Sequence, residues 1–404
     1  MLKGKRLFLD HSFRINPKNA ENNLYLTHQF NYEYKFFEYS QNTILSTITN
    51  SDGTTTGIRR FGDAYVSANL IDQARYNRMY NKAGAIYENK TLGKFQFFIE
   101  DFRYNYFFNK VIVAEDGVIP SALSDEINTV GGQYEYRKNK WRGRFLYSNS
   151  ISDTPMTNLD ANLEYQINGK NKVSFQYQNI SKIPDNLYNL RQSGYIGYNW
   201  ANDFKNEKIN AISVNADTQW ASASLELRTL NNRLYFANSA TIPVQVVTPN
   251  QYDGTINYVS LKIGKEFRYG KFALDNTILY QKADQDDDIL NVPEIVTRNS
   301  LYYTNYFFKK ALFIQTGFTL NYFTKYYADD YNPVIGEFFV QNQKKIGDFP
   351  MVDFFVNARV RQTRIYFKAE HFNSPFTGNT YYSAPNNPYR DFMIRFGLVW
   401  NFFQ

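Results

Sequence analysis

Met351-Val-Asp-Phe-Phe-Val-Asn-Ala-Arg-Val-Arg-Gln-Thr-Arg-Ile-Tyr-Phe-Lys-Ala-Glu-His-Phe372 decides the fold class. Val352, Phe354, Val356, Ala358 and Val360 share one parity, and Asp353, Asn357, Arg359 and Arg361 share the other with Phe355. After Gln362-Thr363 the alternation resumes, Ile365, Phe367 and Ala369 against Tyr366, Lys368 and Glu370. Strand side chains point to opposite faces with a period of two. A turn at 362–363 pairs Val360 with Ile365, Ala358 with Phe367 and Arg359 with Tyr366, leaving one face apolar and the other charged. The apolar face rests either on a second layer or on lipid.

Composition bears on that choice. The 404 residues include 34 Tyr and 35 Phe, yet only 43% are hydrophobic and the mean hydropathy is −0.53. Aromatic girdles on a barrel with a hydrophilic interior explain so many rings in so polar a chain. No run approaches the roughly 18 apolar residues of a spanning helix. The net charge of +7 alternates with aromatics along strands and does not gather into basic runs, which argues against nucleic acid and for a basic lumen or contact with anionic lipid. With no cysteine, disulfides, thiolate chemistry and Cys-based metal sites are excluded.

Working outward, strands are expected near 6–16, 24–39, 78–89, 94–107, 128–137, 141–150, 158–167, 172–180, 208–219, 222–236, 256–268, 271–282, 299–308, 311–326, 351–361, 364–372 and 390–403. Short connections (Asn89–Leu92, Lys138–Lys140, Asn168–Lys170, Tyr269–Gly270, Lys309–Lys310, Gln362–Thr363) alternate with long ones (40–77, 108–127, 181–207, 238–255, 283–298, 327–350, 373–389). Asn168-Gly169 is the strongest hairpin signal, since both residues tolerate the positive φ of a type I′ turn. Segregated loop lengths point to an all-β, transmembrane, up-and-down antiparallel barrel over 1–404, of about 16 to 18 strands, with short periplasmic turns and long extracellular loops. A Greek-key sandwich does not segregate its loops this way. Met1 to Arg6 is basic, but Leu7 to Ile15 already reads as a strand, so a signal peptide and at least one strand are expected upstream, given export and an even strand count.

Parity assigns Lys35, Arg142, Arg144, Glu226, Arg228, Asp353, Arg359, Arg361, Lys368, Glu370 and Arg395 to the lumen, mixed in sign. Arg359, Arg361, Lys368 and Arg395 form the strongest basic patch. Such charges either set ion preference or pair and fill the interior. In the final strand, Phe396, Leu398, Trp400 and Phe402 are similar to the terminal signal by which barrels are handed to the insertion machinery, although Gln404 follows where an aromatic usually ends the chain.

Chemistry is sparse. His11, His28 and His371 are far apart in sequence, and neither a phosphate loop, a nucleophile elbow nor a His-x-x-x-His spacing is present. Asp284, Asp286, Asp287 and Asp288 have the density of a Ca²⁺ or lipopolysaccharide-bridging loop but not EF-hand spacing, which favours a solvated loop. No catalytic residue, cofactor or metal is expected.

Ile289-Leu-Asn-Val-Pro293, Lys309 to Thr324, Tyr331-Asn-Pro-Val334, Gly347 to Phe355, Arg364 to Phe372 and Tyr381 to Tyr389 resemble the putative porin family of Bacteroidetes outer membranes. The likeness is good over 280–404 and thinner before. It implies an outer-membrane barrel with no established catalytic residues to carry over, in a family whose members look longer at the N-terminus. The expectation is passive diffusion of small hydrophilic solutes, with long loops folding inward or over the mouth. Its rival is a non-conducting barrel subunit of a larger outer-membrane complex. Expected partners are outer-membrane lipid, lipopolysaccharide, the insertion machinery and other outer-membrane proteins, with no nucleic acid.

Overall fold

A computed structural model describes residues 1–17, 21–49, 51–109, 111–114, 117–378 and 381–400. Seventeen strands form one antiparallel sheet: β1 (Leu2–Arg14), β2 (Asn22–Thr43), β3 (Ala68–Asn89), β4 (Gly93–Phe107), β5 (Ala122–Lys138), β6 (Trp141–Ser150), β7 (Thr157–Asn168), β8 (Asn171–Lys182), β9 (Glu207–Asp217), β10 (Ser222–Asn238), β11 (Val247–Tyr269), β12 (Phe272–Asp284), β13 (Ile295–Phe307), β14 (Leu312–Phe323), β15 (Met351–Val360), β16 (Thr363–Glu370) and β17 (Met393–Trp400). Each strand pairs with its neighbours in sequence. This is the expected meander. Among the described residues β1 pairs only with β2, and β17 only with β16.

Exposure is inverted relative to a water-soluble sheet. On β7 the carboxylate of Asp160 is buried at 8% exposure while Leu163 is 45% exposed. Leu225, Leu227, Leu261, Ile263, Leu274, Ile278, Phe318, Ile365, Phe367, Phe396 and Leu398 are likewise exposed, and the register puts them all on one face. Soluble proteins bury such residues and expose the charges; lipid reverses the cost, because it solvates Leu and not Asp. Near the short turns the outward face carries ring pairs, Trp141–Tyr165 at 4.5 Å, Phe95–Tyr134 at 4.5 Å and Phe272–Tyr303 at 5.2 Å. Amphipathic rings of this kind suit a membrane interface.

Three expectations need correction. The hairpin of the opening stretch turns at Arg361-Gln362, so Ala358 faces Ile365, Val356 faces Phe367 and Asn357 faces Tyr366. Arg361 has φ 50° and lies in that turn, not on the strand. The pairing moves by two residues, so both faces survive. Neither Asn168 nor Gly169 takes positive φ; the Asn168 side chain instead accepts from Lys170 N at 2.9 Å and Asn171 N at 3.0 Å, an Asx turn that replaces type I′ geometry. Finally, β3, β5 and β11 begin well before expected, at Ala68, Ala122 and Val247. These extensions mix polar and apolar residues on the same face or contain Pro249 and Gly254, so no clean alternation marks them.

Candidate functional site

The inward face carries the chemistry. Lys35, Arg142, Arg144, Glu226, Arg228, Asp353, Arg359, Lys368, Glu370 and Arg395 are all placed on it by the strand register. Most are paired. Arg228 lies 2.5 Å from Glu226, Arg142 lies 3.3 Å from Glu164, and Lys35 lies 3.5 Å from Glu33. The basic patch expected on the last strands is a mixed cluster: Lys368 contacts Asp353 at 3.0 Å and Glu370 at 3.1 Å, and Arg395 reaches Glu370 at 3.0 Å. Arg359 lies over the Phe313 ring at 5.5 Å. Arg144 has no carboxylate within ion-pair distance among the described residues. Phe396, Leu398 and Trp400 face outward, exposed, on β17; Phe402 lies outside the described residues.

The pairing has a bias. Glu33 sits between Lys35 and Arg78 (3.1 Å), and Glu164 between Arg142 and Lys172 (3.6 Å). Glu207 sits between Lys182 (2.7 Å) and Arg233 (3.1 Å), and Glu370 contacts Lys368, Arg390 and Arg395. Around Glu33, Glu207 and Glu370 this leaves positive charge over; around Glu164 it does not, because Lys172 also reaches Asp217 at 3.3 Å. On the outward face Arg103 is conversely shared by Asp101 and Glu126. Half-exposed pairs of this kind contribute only about 0–1 kcal/mol each to stability, so their main consequence is the field inside the wall. Arg78 and Lys82 are hard to assign by parity because Asn77 and Asn81 of β3 point outward and blur its period; Glu100 on β4 and Glu164 on β7 also face inward.

Long connections fold in at one end. Ile44, Phe61, Tyr195, Tyr198, Trp200, Val334, Ile335 and Phe339 from three loops pack with Leu70, Phe236 and Val247 of the wall into one buried cluster. Its centre is Leu190-Arg-Gln-Ser-Gly-Tyr-Ile-Gly-Tyr-Asn-Trp200. The inward carboxylate of Asp72 accepts from Gly194 N at 2.7 Å and from the Ser193 hydroxyl, with Arg191 at 3.8 Å. Arg191, 1% exposed, donates to the Val334 carbonyl, and burial pushes its guanidinium below the ordinary arginine range. Tyr198 donates to the Gln245 carbonyl at 2.8 Å and accepts from Asn332 at 2.9 Å. A side chain is excluded at Gly197, where a Cβ would sit 2.5 Å from Val246 Cγ1. These loops carry no period, so the sequence marked them only as long.

Two cavities flank the lumen wall. One of about 660 Å³ lies at the short-turn end, around Arg137, Arg142, Arg144, Glu135 and Glu164. The other, about 900 Å³, lies under the loop cluster between β2–β4 and the loops after β8 and β14. Of the histidines, His11 and His28 are a stacked cross-strand pair on the outward face, 5.9 Å apart. His371 is buried, its Nδ1 2.8 Å from the Arg390 carbonyl. In the acidic loop, the Asp286 amide donates to the Tyr252 hydroxyl at 3.1 Å; among the described residues no three His, Asp or Glu converge as metal ligands.

Solved structures share this architecture. The siderophore receptor PirA from Acinetobacter baumannii matches 98% of this chain and 62% of its own at a TM-score of 0.60 and 11% identity. The copper transporter OprC matches 98% and 65% at 0.64 and 10%, and the FrpB iron transporter from Neisseria meningitidis 93% and 71% at 0.50 and 12%. At such identities the likeness is one of fold, and the chain spans under two thirds of the length of the first two. No curated protein matches the chain. The family model described as "Putative porin" matches residues 1–404. With a lipid-facing outer wall, a charged inner face and a match over its whole length, this bacterial outer-membrane β-barrel protein belongs to that family.

Proposed function

We propose that the protein is a porin-like barrel through which small hydrophilic solutes diffuse passively, with the inward loop cluster setting the size limit. The observation that carries this reading is the inner face itself, charged from β2 to β17. A wall built only to be filled would need no such surface, since apolar packing is the cheaper filling. The carboxylates bracketed by two cations favour a mild preference for anions. No chemical reaction is part of this reading. Lipopolysaccharide at the outward face of the long-loop end, and the insertion machinery at Phe396, Leu398 and Trp400, are the contacts it implies.

Purified protein in a planar bilayer should give discrete ohmic steps, and a salt gradient should give a zero-current potential of anionic sign. A cationic sign refutes the preference, and silence refutes the channel. A second reading, a non-conducting subunit of a larger outer-membrane complex, is favoured by two observations: the edges of β1 and β17, which share no partner among the described residues, and the dense packing of the loops. Silence together with co-purifying barrel subunits would select it.

A further inference from the structure

The cavity of about 900 Å³ is lined by charges of both signs; Lys182 and Arg191 at its loop end are already paired, with Glu207 and Asp72. On the wall side are Lys35 and Arg78, which share the single carboxylate of Glu33. On the loop side are Asp185, just before the short helix α1 (Asn186–Asn189), and Glu337. Neither acid has a cation within ion-pair distance among the described residues. Both are open to the water of the cavity. They lie near each other: partial burial, and then the charge of Asp185, raise the Glu337 carboxyl above its ordinary range. Among the described residues the Nε atoms of Arg78 and of the fully buried Arg191, which also lines the cavity, have no hydrogen-bond partner. The wall also lines the cavity with rings, Tyr76 and Tyr104 with centroids 6.4 Å apart, and Phe102 5.7 Å from Tyr104.

We infer that this cavity is a binding site for small zwitterions of the amino-acid or short-peptide class. The ligand's carboxylate would meet Lys35 and Arg78, its ammonium Asp185 and Glu337, and an apolar or aromatic side chain the rings of the wall. A pure anion satisfies only the wall and leaves two carboxylates uncompensated; a pure cation leaves the wall's surplus. Charge-assisted hydrogen bonds at both ends reward the ligand that carries both charges. The volume falls within the ~300–1,000 Å³ of small-molecule sites. This inference rests on the reading of a water-filled lumen that solutes reach, but binding does not require passage.

Titration calorimetry on the full chain in detergent tests it with three probes: glycylphenylalanine, its N-acetyl form (anion only) and its C-terminal amide (cation only). The zwitterion should bind at least tenfold more tightly than either blocked form. Asp185→Asn with Glu337→Gln should abolish that preference over the N-acetyl form and leave binding of the N-acetyl form unchanged. Lys35→Gln should weaken the zwitterion and the N-acetyl form but not the amide. Where the double variant fails to fold, the single Glu337→Gln serves, with an expected loss of about threefold for the zwitterion and the amide. Equal binding of the three probes, binding of none, or an unaltered preference in a folded variant overturns the site. A bilayer that stays silent while the zwitterion binds defeats the channel reading and keeps the site; conduction without binding does the reverse.

Discussion

At the scale of single residues the loop cluster turns on Asp72. Its carboxylate is buried against the Gly194 amide, the Ser193 hydroxyl and the Arg191 guanidinium. Removing one partner of a buried ion pair strands the other charge, at a cost of about 3–5 kcal/mol. Asp72→Ala should therefore loosen the 190–200 segment before it harms the wall, because Asp72 sits on β3, whose ladder bonds to β2 and β4 do not involve its side chain. Single-channel recordings should show larger and noisier steps, while the folded barrel keeps its heat-modifiable mobility on gels. Unchanged, quiet conductance would count against an anchoring role. Nothing in the sequence pointed to Asp72. By sequence it falls within the long connection 40–77, and only the tertiary fold brings Arg191, some 120 positions later, to its side.

Strands were far more legible, for a reason that also says what substitutions do to them. Where the wall crosses lipid, period-two alternation is enforced by solvation on both faces, so β7, β8, β16 and β17 stood out from residue types alone. Where strands rise beyond lipid, as at 68–77 and 247–255, both faces meet water or loops and the period fades. Turn chemistry was the least readable: Arg361 adopts φ 50° at a position where an arginine gives no signal for it. The same alternation makes adjacent residues respond oppositely. Val214 on β9 is exposed on the outward face; Ser213 faces inward, opposite Glu226 and Gln176. Val214→Arg should cost about 2–4 kcal/mol near mid-membrane. Ser213→Arg, with a carboxylate across from it, should stay within about 1 kcal/mol. Urea unfolding of the two variants in lipid vesicles measures the difference, and equal losses would contradict the assignment of faces.

The whole molecule divides into two bodies with different reasons to exist. The wall is held by ladders between consecutive strands, so its integrity is local and repeats around the sheet. Among the described residues seventeen strands in strict alternation leave β1 and β17 running in the same direction, and these two edges do not pair with each other. The loop cluster, by contrast, is built from segments far apart in sequence and depends on the wall for its base at Leu70, Phe236 and Val247. Dependence in one direction makes a sharp expectation. Replacing residues 186–201 by a short Gly-Ser linker removes Tyr195, Tyr198 and Trp200 from the cluster but breaks no wall ladder, since the strands on either side, β8 and β9, stay paired along Lys172–Lys182 and Glu207–Asp217. The shortened protein should still insert and run as a folded barrel, should conduct severalfold more per step, and should admit larger uncharged sugars in a vesicle-swelling assay. If it folds and the size limit does not move, the loops are not what sets the limit, and the narrowest point must be sought among the ion pairs of the wall.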